Sequence, residues 1–261
     1  MQNNNKISVI IPTYNSVNKI EKMLKSLKSQ TILPDEIIFS DDGSTDGTVN
    51  LLKEWIKKNQ SLNSKIIENE HFGPGNSRNM GIFQANNDWI SFLDSDDTWE
   101  NEKINEVKKV IEKERDVNFI THYEFHVGSD DVKKEISTKL KTFLQQKIDL
   151  KKFLYISNIF STSAVTCKKE MLLKNKAFDI GLPNAQDYDL WLKLSPQINL
   201  YVIKKNLGVY YDTVNNITSR PYSKKIKAEL IICLRYRKLV NFSLFIKKLA
   251  KIIINKSWFK F

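Results

Sequence analysis

The chain has 261 residues, of which 41% are hydrophobic and 11% aromatic, and this composition is typical of a folded globular protein and excludes a disordered one. Its net charge of +11 is concentrated near the C-terminal end, where residues 220–261 carry twelve Lys or Arg and one acid, Glu229. Two distant cysteines, Cys167 and Cys233, predict neither a disulfide framework nor a metal site. Because the sequence shows no signal-peptide core and no run of about 18 apolar residues, we expect a soluble, cytoplasmic protein.

Strand-like and helix-like segments alternate through the first part of the chain. Apolar runs at 7–11, 36–40, 65–68 and 88–93 predict strands, and a segment with helical spacing of apolar residues follows each of them. Such alternation with short connections predicts an α/β fold with a mostly parallel central sheet flanked by helices. In sheets of this kind ligands bind beyond the carboxyl ends of the strands.

From residue 100 onward the pattern is mixed, and it ends in the basic tail. The predicted elements are a helix at 100–114, a strand at 117–126, a helix at 141–155, a strand at 160–167 with antiparallel pairing open, a short helix at 184–194 and two short strands at 199–203 and 208–211.

Three carboxylates, Asp94, Asp96 and Asp97, stand at the tip of the fourth predicted strand. Their charges repel one another unless a cation lies among them. Hard oxygen ligands on a short turn suit Mg²⁺ or Mn²⁺, which bind through one or two carboxylates and leave positions for substrate phosphates. The alternative is an acidic turn without a ligand, since turns favour Asp and Ser.

Further candidate residues follow the other strand ends. Tyr14 follows the first strand and Asp42 the second, where a carboxylate can accept the N3–H of a uracil or the hydroxyls of a ribose. The glycine-rich loop 73–75 is either an ordinary turn or the phosphate-facing start of a helix. That helix carries Arg78, whose guanidinium suits diphosphate oxygens, with a surface salt bridge as the alternative. We expect these residues to converge with Asp94 on one cleft.

Two carboxylates, Asp187 and Asp189, flank Tyr188 at the start of the helix predicted at 184–194. Helix capping and compensation of the helix dipole explain acids in this position, and this interpretation fits Asp189 well. A carboxylate partly enclosed by Tyr188 and Trp191 can instead have a raised pKa and act as a general base. The spacing leaves both interpretations open.

The three histidines form no metal-binding pattern. His122 and His126 lie four residues apart, but they do so in a strand-like segment with no further Cys or His nearby. We interpret both as structural. His71 stands alone, and the pattern assigns it no role.

Four segments form a combination that is more specific than any one of them. They are, in chain order, Ser8-Val9-Ile10-Ile11-Pro12-Thr13-Tyr14-Asn15, Asp41-Asp42-Gly43-Ser44-Thr45-Asp46, Ser77-Arg78-Asn79-Met80-Gly81 and Phe92-Leu93-Asp94-Ser95-Asp96-Asp97-Thr98-Trp99. Together, over roughly residues 6–215, they closely resemble the family 2 inverting glycosyltransferases of GT-A fold. The resemblance implies a GT-A domain at 1–219, with a nucleotide-sugar-binding half at 1–99 and an acceptor-binding half at 100–219, followed by the tail at 220–261.

The resemblance implies roles for residues of the nucleotide-sugar site. Pro12, Thr13 and Tyr14 would line the nucleotide pocket. Asp42 would receive the uracil N3–H, and Arg78 would lie near the base or the diphosphate. Asp41 would be structural.

The resemblance also implies a metal site and a catalytic base. Asp94-Ser95-Asp96 matches the Asp-x-Asp motif, in which Asp96 would bind Mn²⁺ or Mg²⁺, Asp94 the ribose or the metal shell, and Ser95 the nucleotide sugar. Gln186-Asp187 stands where the family has Glu-Asp, which makes Asp187 the counterpart of the catalytic base. Segment 210–218 lacks the Arg and His of the family's Tyr-Arg-x-His region, so contacts from that loop to the diphosphate are not implied.

The implied activity is that of a metal-dependent, inverting hexosyltransferase. It would move a hexose or N-acetylhexosamine from a UDP-sugar to a saccharide acceptor, lipid-linked, in bacterial surface glycan synthesis. One alternative is a catalytically silent sugar-nucleotide-binding or scaffold protein of the same fold. A sugar nucleotidyltransferase would need a Gly-rich basic loop near the N-terminus, which the sequence lacks.

The tail at 221–261 interleaves basic residues with apolar ones and carries the aromatic residues Trp258 and Phe259 near its end. Such a basic amphipathic segment predicts binding to an anionic membrane surface, here the inner face of the cell membrane. The alternative is that its apolar stripe packs on the catalytic domain or on a second subunit of a homodimer. Nucleic acid binding is not expected, because the rest of the chain carries no nucleic-acid motif.

Overall fold

The first half of the chain forms a parallel sheet. The computed structural model describes residues 5–128, 130, 132–146, 148–212 and 222–254. The strands of this half are β1 (Ile7–Thr13), β2 (Glu36–Asp41), β3 (Ser64–Glu68) and β4 (Trp89–Phe92), paired in parallel in the order β3-β2-β1-β4. The helices after the first three strands are α1 (Ile20–Lys28), α2 (Thr48–Lys58) and α3 (Pro74–Gln84). The predicted α/β fold is confirmed here.

The second half extends the same sheet with both antiparallel and parallel pairs. Its strands are β5 (Thr98–Trp99), β6 (Phe119–Val127), β7 (Lys133–Glu135), β8 (Thr166–Lys168) and β9 (Leu200–Tyr211). Strand β8 runs antiparallel to both β4 and β6, while β9 pairs in parallel with β6 and in antiparallel with β5. Among the described residues this makes one mixed nine-stranded sheet, in the order β3-β2-β1-β4-β8-β6-β9-β5 with β7 beside β6.

Helices cover both faces of the sheet and bury two apolar cores. The helices of the second half are α4 (Lys103–Lys113), α5 (Thr138–Gln145), α6 (Leu150–Ile156), α7 (Lys169–Lys174), α8 (Gln186–Leu194), α9 (Tyr222–Arg235) and α10 (Phe242–Ile254). Successive residues of β1 alternate between the cores, because side chains of a strand point to opposite faces. Ile10 lies in the core with α3 and α8, whereas Val9 and Ile11 lie in the core with α1 and α4.

The absence of a side chain at Gly81 determines how closely α3 lies against the sheet. A Cβ at this position would be 2.5 Å from Cγ2 of Ile10 in β1, so only glycine allows the observed approach. Arg78 lies about one turn earlier on the same helix. The close packing therefore holds Arg78 near the carboxyl ends of β1 and β4.

Four predicted elements differ from those observed. The helix predicted at 141–155 is wrong, because it is divided into α5 and α6 by Asp149, whose carboxylate accepts a hydrogen bond from the Lys151 amide at 3.0 Å and starts a new helix. The strand predicted at 160–167 is mostly a turn, and only its end belongs to β8. The two short strands predicted after residue 199 are one strand, β9, whose register with β6 shifts near Tyr123.

The tail helices α9 and α10 pack on the body of the protein. Ala228, Ile232, Cys233 and Ile252 are buried in the core that contains α8, and the Tyr155 hydroxyl donates a hydrogen bond to the Cys233 carbonyl at 2.9 Å. The tail therefore shares a core with the second half of the chain. Residues 213–221 and 255–261, with the predicted contributions of Trp258 and Phe259, lie outside the described residues.

A partly buried ion pair links α9 to α8. Nη1 of Arg235 lies 2.6 Å from Oδ1 of Asp189, and the Tyr236 hydroxyl donates to the same oxygen at 3.0 Å. The Asp189 side chain is fully buried. Asp189 lies in the first turn of α8, as compensation of the helix dipole requires, but no side-chain capping hydrogen bond is formed there. The capping part of its interpretation is therefore wrong, and its carboxylate instead contacts the tail.

We expect Arg235→Met to lower the free energy of unfolding by about 2 kcal/mol. Removal of one partner of a fully buried ion pair costs about 3–5 kcal/mol, but the Arg235 side chain is 38% exposed and water screens its charge. Urea denaturation measures the loss. Arg237→Met, which removes a nearby exposed arginine, is the control and should change stability by less than about 0.5 kcal/mol. Equal stability of the two variants would contradict the importance of this pair.

Candidate active site

The carboxyl ends of β1, β2 and β4 bring the main candidate residues together. These strands run in parallel, so Tyr14, Asp42 and Asp94, each just beyond a strand end, lie along the same edge of the sheet. Arg78 approaches this edge from α3. The location is the one at which open α/β sheets bind ligands.

Asp41 and Thr13 support the edge from within. The Asp41 carboxylate accepts hydrogen bonds from the Thr13 hydroxyl at 3.0 Å, the Ser44 amide at 2.7 Å and the Ser44 hydroxyl at 2.6 Å. Pro12 is buried in β1, beside Ser40 of β2. The side chains of Thr13 and Asp41 are thus engaged with the protein itself and join β1 to the loop after β2.

Asp42 organises the loop that leads into α3. Its buried carboxylate accepts hydrogen bonds from the amides of Phe72 at 3.0 Å and Gly73 at 2.9 Å, and from the Ser77 hydroxyl at 3.2 Å. Gly73 has a φ of +90°, a conformation that favours glycine. Nδ1 of His71 lies 2.8 Å from Oδ2 of the same carboxylate.

His71, to which the sequence pattern assigned no role, lies in the site. Its ring stacks on that of Tyr14 with a centroid distance of 4.3 Å and an interplanar angle of 24°. Tyr14 is 45% exposed and the His71 side chain 57%. A possible signal in the sequence is the position of His71 just after the third strand, which is the same kind of position that singled out Tyr14 and Asp42.

Arg78 is a buried residue of the cleft and not part of a surface salt bridge. Its Nη2 donates to Oδ1 of Asp94 at 2.5 Å, and its guanidinium lies 5.5 Å from the centre of the Phe178 ring. Nε of Arg78 is buried and has no hydrogen-bond partner among the described residues. An unpaired buried N–H is costly, which makes this atom a candidate donor to a ligand oxygen.

Two serines outside the turn at 94–97, Ser163 and Ser16, contact it. Ser163 accepts a hydrogen bond from the Asp94 amide at 3.1 Å and donates to Asp97 at 2.6 Å. The hydroxyl of Ser95 is 3.1 Å from that of Ser16, so it contacts the protein beneath the turn. Oδ2 of Asp96 lies 3.6 Å from the ammonium group of Lys19.

Two buried acids, Asp97 in this turn and Glu124 in β6, have shifted pKa values. Burial, and then repulsion from Asp94, raises the pKa of Asp97 well above its ordinary value. Burial also raises the pKa of Glu124 in β6 to about 8, with a smaller contribution from Asp94. Both acids therefore favour the protonated form, which limits the negative charge that accumulates beside Asp94.

A buried lysine lies close to these acids. Lys103 is fully buried, donates to the hydroxyls of Ser91 at 3.1 Å and Thr166 at 3.0 Å, and lies over the Trp99 ring. Burial lowers its pKa well below the ordinary value, and the charge of Glu124 acts in the opposite direction. Sequence reasoning missed Lys103 because a lysine in an amphipathic helix is ordinarily exposed.

The donor atoms at the strand tip fit a hard divalent cation. No three His, Cys, Asp or Glu side chains within the described ranges form a metal-binding cluster. The side chains of Asp94 and Asp96 are nevertheless 30% and 18% exposed and offer carboxylate oxygens. Mg²⁺ and Mn²⁺ commonly use one or two carboxylates and take their other ligands from water and phosphates.

Asp187 lies at the start of α8, within electrostatic reach of Arg78 and Asp94. Burial raises its pKa above the ordinary value, and the Asp94 charge adds to this effect. The Arg78 charge and a hydrogen bond from Nδ2 of Asn158, at 3.1 Å, act in the opposite direction. Ala185, two residues earlier, has a positive φ of 54°, a strained conformation of the kind that occurs at functional sites.

Gln186 connects α8 to the start of α3. Its Nε2 donates to the Leu182 carbonyl at 2.9 Å. A Cβ at Gly75 would collide with the Gln186 amide group. The glycine-rich loop thus makes room for Gln186 and brings the helix of Asp187 next to the helix of Arg78.

The other histidines have structural contacts. Nδ1 of His122 donates to the Tyr123 carbonyl at 2.9 Å, and burial lowers its pKa to about 3. His126 stacks on Tyr210 and contacts Asp212 at 3.0 Å.

Two bacterial relatives show similarity over most of the chain. A glycosyltransferase of Haemophilus influenzae, described as uncharacterized, is 32% identical over 209 residues, which are 79% of this chain and 68% of that protein. The GalNAc(5)-diNAcBac-PP-undecaprenol beta-1,3-glucosyltransferase of Campylobacter jejuni is 29% identical over 203 residues, 76% of this chain and 62% of that protein. The chain thus spans about two thirds of the length of these relatives.

Solved structures with the same fold include two that contain a nucleotide sugar. Staphylococcus aureus TarS 1-349 in complex with UDP-GlcNAc gives a TM-score of 0.71 at 23% identity, over 95% of this chain and 71% of that one. The mannosyltransferase PcManGT of Pyrobaculum calidifontis, in complex with GDP-Man and Mn²⁺, gives 0.69 at 17% identity, over 97% and 71%. At these identities the likeness establishes the GT-A fold alone.

The family profile described as Glycosyl transferase family 2 matches residues 8–178. The matched range contains all four sequence segments that carry the resemblance and ends before Asp187. It covers well over half of the chain. The chain therefore belongs to glycosyl transferase family 2.

Proposed function

We propose that this family 2 enzyme is an inverting glycosyltransferase that moves a hexose or N-acetylhexosamine from a UDP-sugar to a saccharide acceptor, lipid-linked, in bacterial surface glycan synthesis. The observation that carries the proposal is the meeting of Tyr14, Asp42, Arg78 and Asp94 at one edge of the parallel sheet, with Asp187 in electrostatic reach of the last two. An aromatic face, a cation and carboxylates are what a nucleotide diphosphate, a divalent cation and a general base require.

The named ligands of related proteins support the donor and acceptor classes. TarS and PcManGT, which have this fold, were solved with a sugar nucleotide, UDP-GlcNAc and GDP-Man respectively. The name of the Campylobacter jejuni relative describes an undecaprenol-linked acceptor. We infer a nucleoside-diphosphate-sugar donor and a lipid-linked saccharide acceptor for this chain.

Asp94 and Asp96 would hold Mn²⁺ or Mg²⁺ in this proposal. When bound, such an ion acts as a Lewis acid that offsets the charge developing on the leaving diphosphate. The presence of Mn²⁺ in the PcManGT complex supports the use of a divalent metal. Nε of Arg78, which is buried and unpaired, supplies a further donor for a diphosphate oxygen.

Asp187 would act as the general base. Its carboxylate takes the proton of the acceptor hydroxyl as the acceptor oxygen forms a bond to the anomeric carbon. The bond from that carbon to the diphosphate breaks on the opposite face, the electron pair leaves with UDP, and the anomeric configuration inverts. A raised pKa makes Asp187 a stronger proton acceptor. Asn158 orients the carboxylate through its hydrogen bond.

A catalytically silent protein that binds sugar nucleotides is the second candidate. Gln186 replaces the acid that would stand beside the base, and its amide packs against Gly75. The segment that lacks the family's Arg and His lies largely at 213–218, outside the described residues. Sugar-nucleotide binding without turnover would favour this candidate.

The first test is UDP release from UDP-glucose, UDP-galactose, UDP-GlcNAc and UDP-GalNAc with Mn²⁺, in the presence and absence of EDTA. We expect release that is selective for one donor and lost with EDTA. Asp96→Ala should lower it by about 100-fold, since a metal ion supplies several kcal/mol of transition-state stabilisation. Asp116→Ala, which removes an exposed carboxylate outside the site, is the control. Full activity of Asp96→Ala would contradict the metal site.

A silent wild-type protein requires a second measurement, because a missing lipid-linked acceptor can also prevent turnover. Metal-dependent UDP binding in that sample would then point to the acceptor or to the silent binding protein. Addition of membrane lipid extract as a source of acceptor distinguishes these two. Absence of UDP binding would reject the proposed function.

We expect Asp187→Asn to reduce turnover by about 10²- to 10⁴-fold, the usual contribution of a general base, while UDP binding changes little. Asn158→Ala should shift the acidic limb of kcat/KM to higher pH, because it removes a hydrogen bond that favours the charged carboxylate. Activity therefore falls at a higher pH than in the wild type as the solution is acidified. A folded Asp187→Asn protein that no longer binds UDP, or an unshifted limb, would argue against these roles.

The exposed side of the tail supports a membrane-facing orientation at the inner face of the cell membrane. No helix in the described ranges is long and apolar enough to cross a bilayer. Phe242 is 76% exposed, and Leu234 and Ile246 are also exposed. Lys247 and Lys251 are exposed on the same helix as Phe242 and Ile246. This combination suits an anionic lipid surface, where each basic residue contributes about 1 kcal/mol.

We expect the wild type to float with vesicles that contain anionic phosphatidylglycerol and the double variant Phe242→Ser, Ile246→Ser to float less. These point changes replace a truncation, which would remove the buried tail residues Ile232 and Cys233 from the core. Phe83→Ser, at an exposed phenylalanine of α3, is the control. Equal flotation of all proteins would reject the membrane contact. Loss of a dimer in size-exclusion chromatography of the double variant would assign the face to a second copy instead.

A further inference from the structure

The imidazole of His71 makes two contacts that a nucleobase would make in this site. Its ring lies flat on Tyr14, with a centroid distance of 4.3 Å and an interplanar angle of 24°. Its Nδ1 lies 2.8 Å from Oδ2 of Asp42, within hydrogen-bond distance. The same Nδ1 is 3.1 Å from the backbone carbonyl oxygen of Asp42, to which its N–H donates. A flat ring that stacks on an aromatic face and places a ring nitrogen at a carboxylate oxygen resembles a base with a ring N–H.

The hydrogen bonds of the Asp42 carboxylate restrict the position at which a base can donate to it. Oδ1 accepts from the amides of Phe72 and Gly73, each at 3.0 Å, and from the Ser77 hydroxyl at 3.2 Å. These donors belong to the loop before α3 and to its first turn. Oδ2 accepts from the Gly73 amide at 2.9 Å and lies 2.8 Å from Nδ1 of His71. Oδ2 is thus the oxygen available to an incoming N–H once the imidazole has moved.

The stack leaves no room for a base between its two rings. Their centroids are 4.3 Å apart, an ordinary distance for two rings in direct contact, and insertion of a third ring would require roughly twice that distance. A base that stacks on the face of Tyr14 covered by His71 and reaches Asp42 must therefore take the place of the imidazole. The two rings compete for one position.

We propose that His71 fills the nucleobase slot when no donor is bound, and that a base carrying a ring N–H next to a carbonyl, such as uracil, displaces it. The base then stacks on Tyr14 and donates to Oδ2 of Asp42. This inference rests on the proposed function, because it assumes that a UDP-sugar binds at this edge of the sheet. The affinity for the base then depends partly on how stable the stacked conformation of the His71 side chain is.

The surroundings of His71 allow this movement. Its side chain is 57% exposed, and its contacts are with Asp42 and Tyr14. The backbone that follows remains attached, because the hydrogen bonds of Phe72 and Gly73 to Asp42 do not involve the imidazole. Rotation of one side chain therefore opens the slot without release of the loop.

The test compares His71→Ala with the wild type in binding of UDP, uridine and pyrophosphate, measured by calorimetry with Mn²⁺ present. Removal of the competing ring should tighten UDP and uridine by about 3- to 10-fold, as expected if the open slot is populated by roughly a tenth to a third of the molecules. The affinity for pyrophosphate should not change. His126→Ala removes another histidine that stacks on a tyrosine, Tyr210, and is the matched control.

The outcomes separate this inference from the proposed function. Weaker or unchanged binding of UDP to His71→Ala, in a sample where the wild type binds UDP, overturns the displacement of His71 and leaves the proposed function intact. Equal tightening of pyrophosphate also overturns it, because the effect would not concern the base. If neither protein binds UDP, the proposed function fails and this inference fails with it.

A second readout does not depend on affinity. The chain has three histidines, so the imidazole signals of His71 can be assigned from the spectrum of His71→Ala. Addition of UDP should shift these signals toward those of an exposed, unstacked imidazole. His71 signals that stay unchanged at saturating UDP would show that the ring remains in place and would reject the proposal.

Discussion

The buried carboxylate of Asp42 is the constraint on which the arrangement of the site depends. It accepts hydrogen bonds from the amides of Phe72 and Gly73 and from the Ser77 hydroxyl. These bonds hold the loop after β3 and the first turn of α3 at the end of β2. Because α3 begins there and lies close against β1 at Gly81, the guanidinium of Arg78 is carried to the tip of β4. One buried charge thereby positions residues from three segments.

Charge balance is the second theme of the site. The tip of β4 gathers acids that would repel one another, and the protein limits their charge in two ways. Arg78 pairs with Asp94, and burial raises the pKa values of Asp97 and Glu124. In our proposal Asp94 and Asp96 would hold a cation at this tip, and the proposed base Asp187 lies between the opposing influences of Arg78 and Asp94.

The tail is connected to the proposed catalytic helix. The two residues that follow Asp187 both contact the tail. Tyr188 accepts a hydrogen bond from Lys248 at 2.7 Å, and Asp189 pairs with Arg235. Tyr188 in turn donates to the Leu154 carbonyl of α6. The tail therefore has a packed side, which holds α8, and an exposed side, which in our proposal contacts the membrane. A few buried contacts would then connect the lipid-bound surface to Asp187, the proposed general base for a lipid-linked acceptor.

The sequence by itself determined the strands of the first half, the edge at which Tyr14, Asp42 and Asp94 meet, and the family, because apolar periodicity is local and parallel strands place their carboxyl ends together. Tertiary structure alone decided the partner of Asp189 and the places of Lys103, Ser163 and His71. Ser163 is 66 residues from the Asp97 that it contacts, and Arg235 is 46 residues from Asp189. Contacts at such separations leave no local pattern in the sequence. The identity of a polar residue does not indicate whether its partner in the folded protein is water or a buried charge.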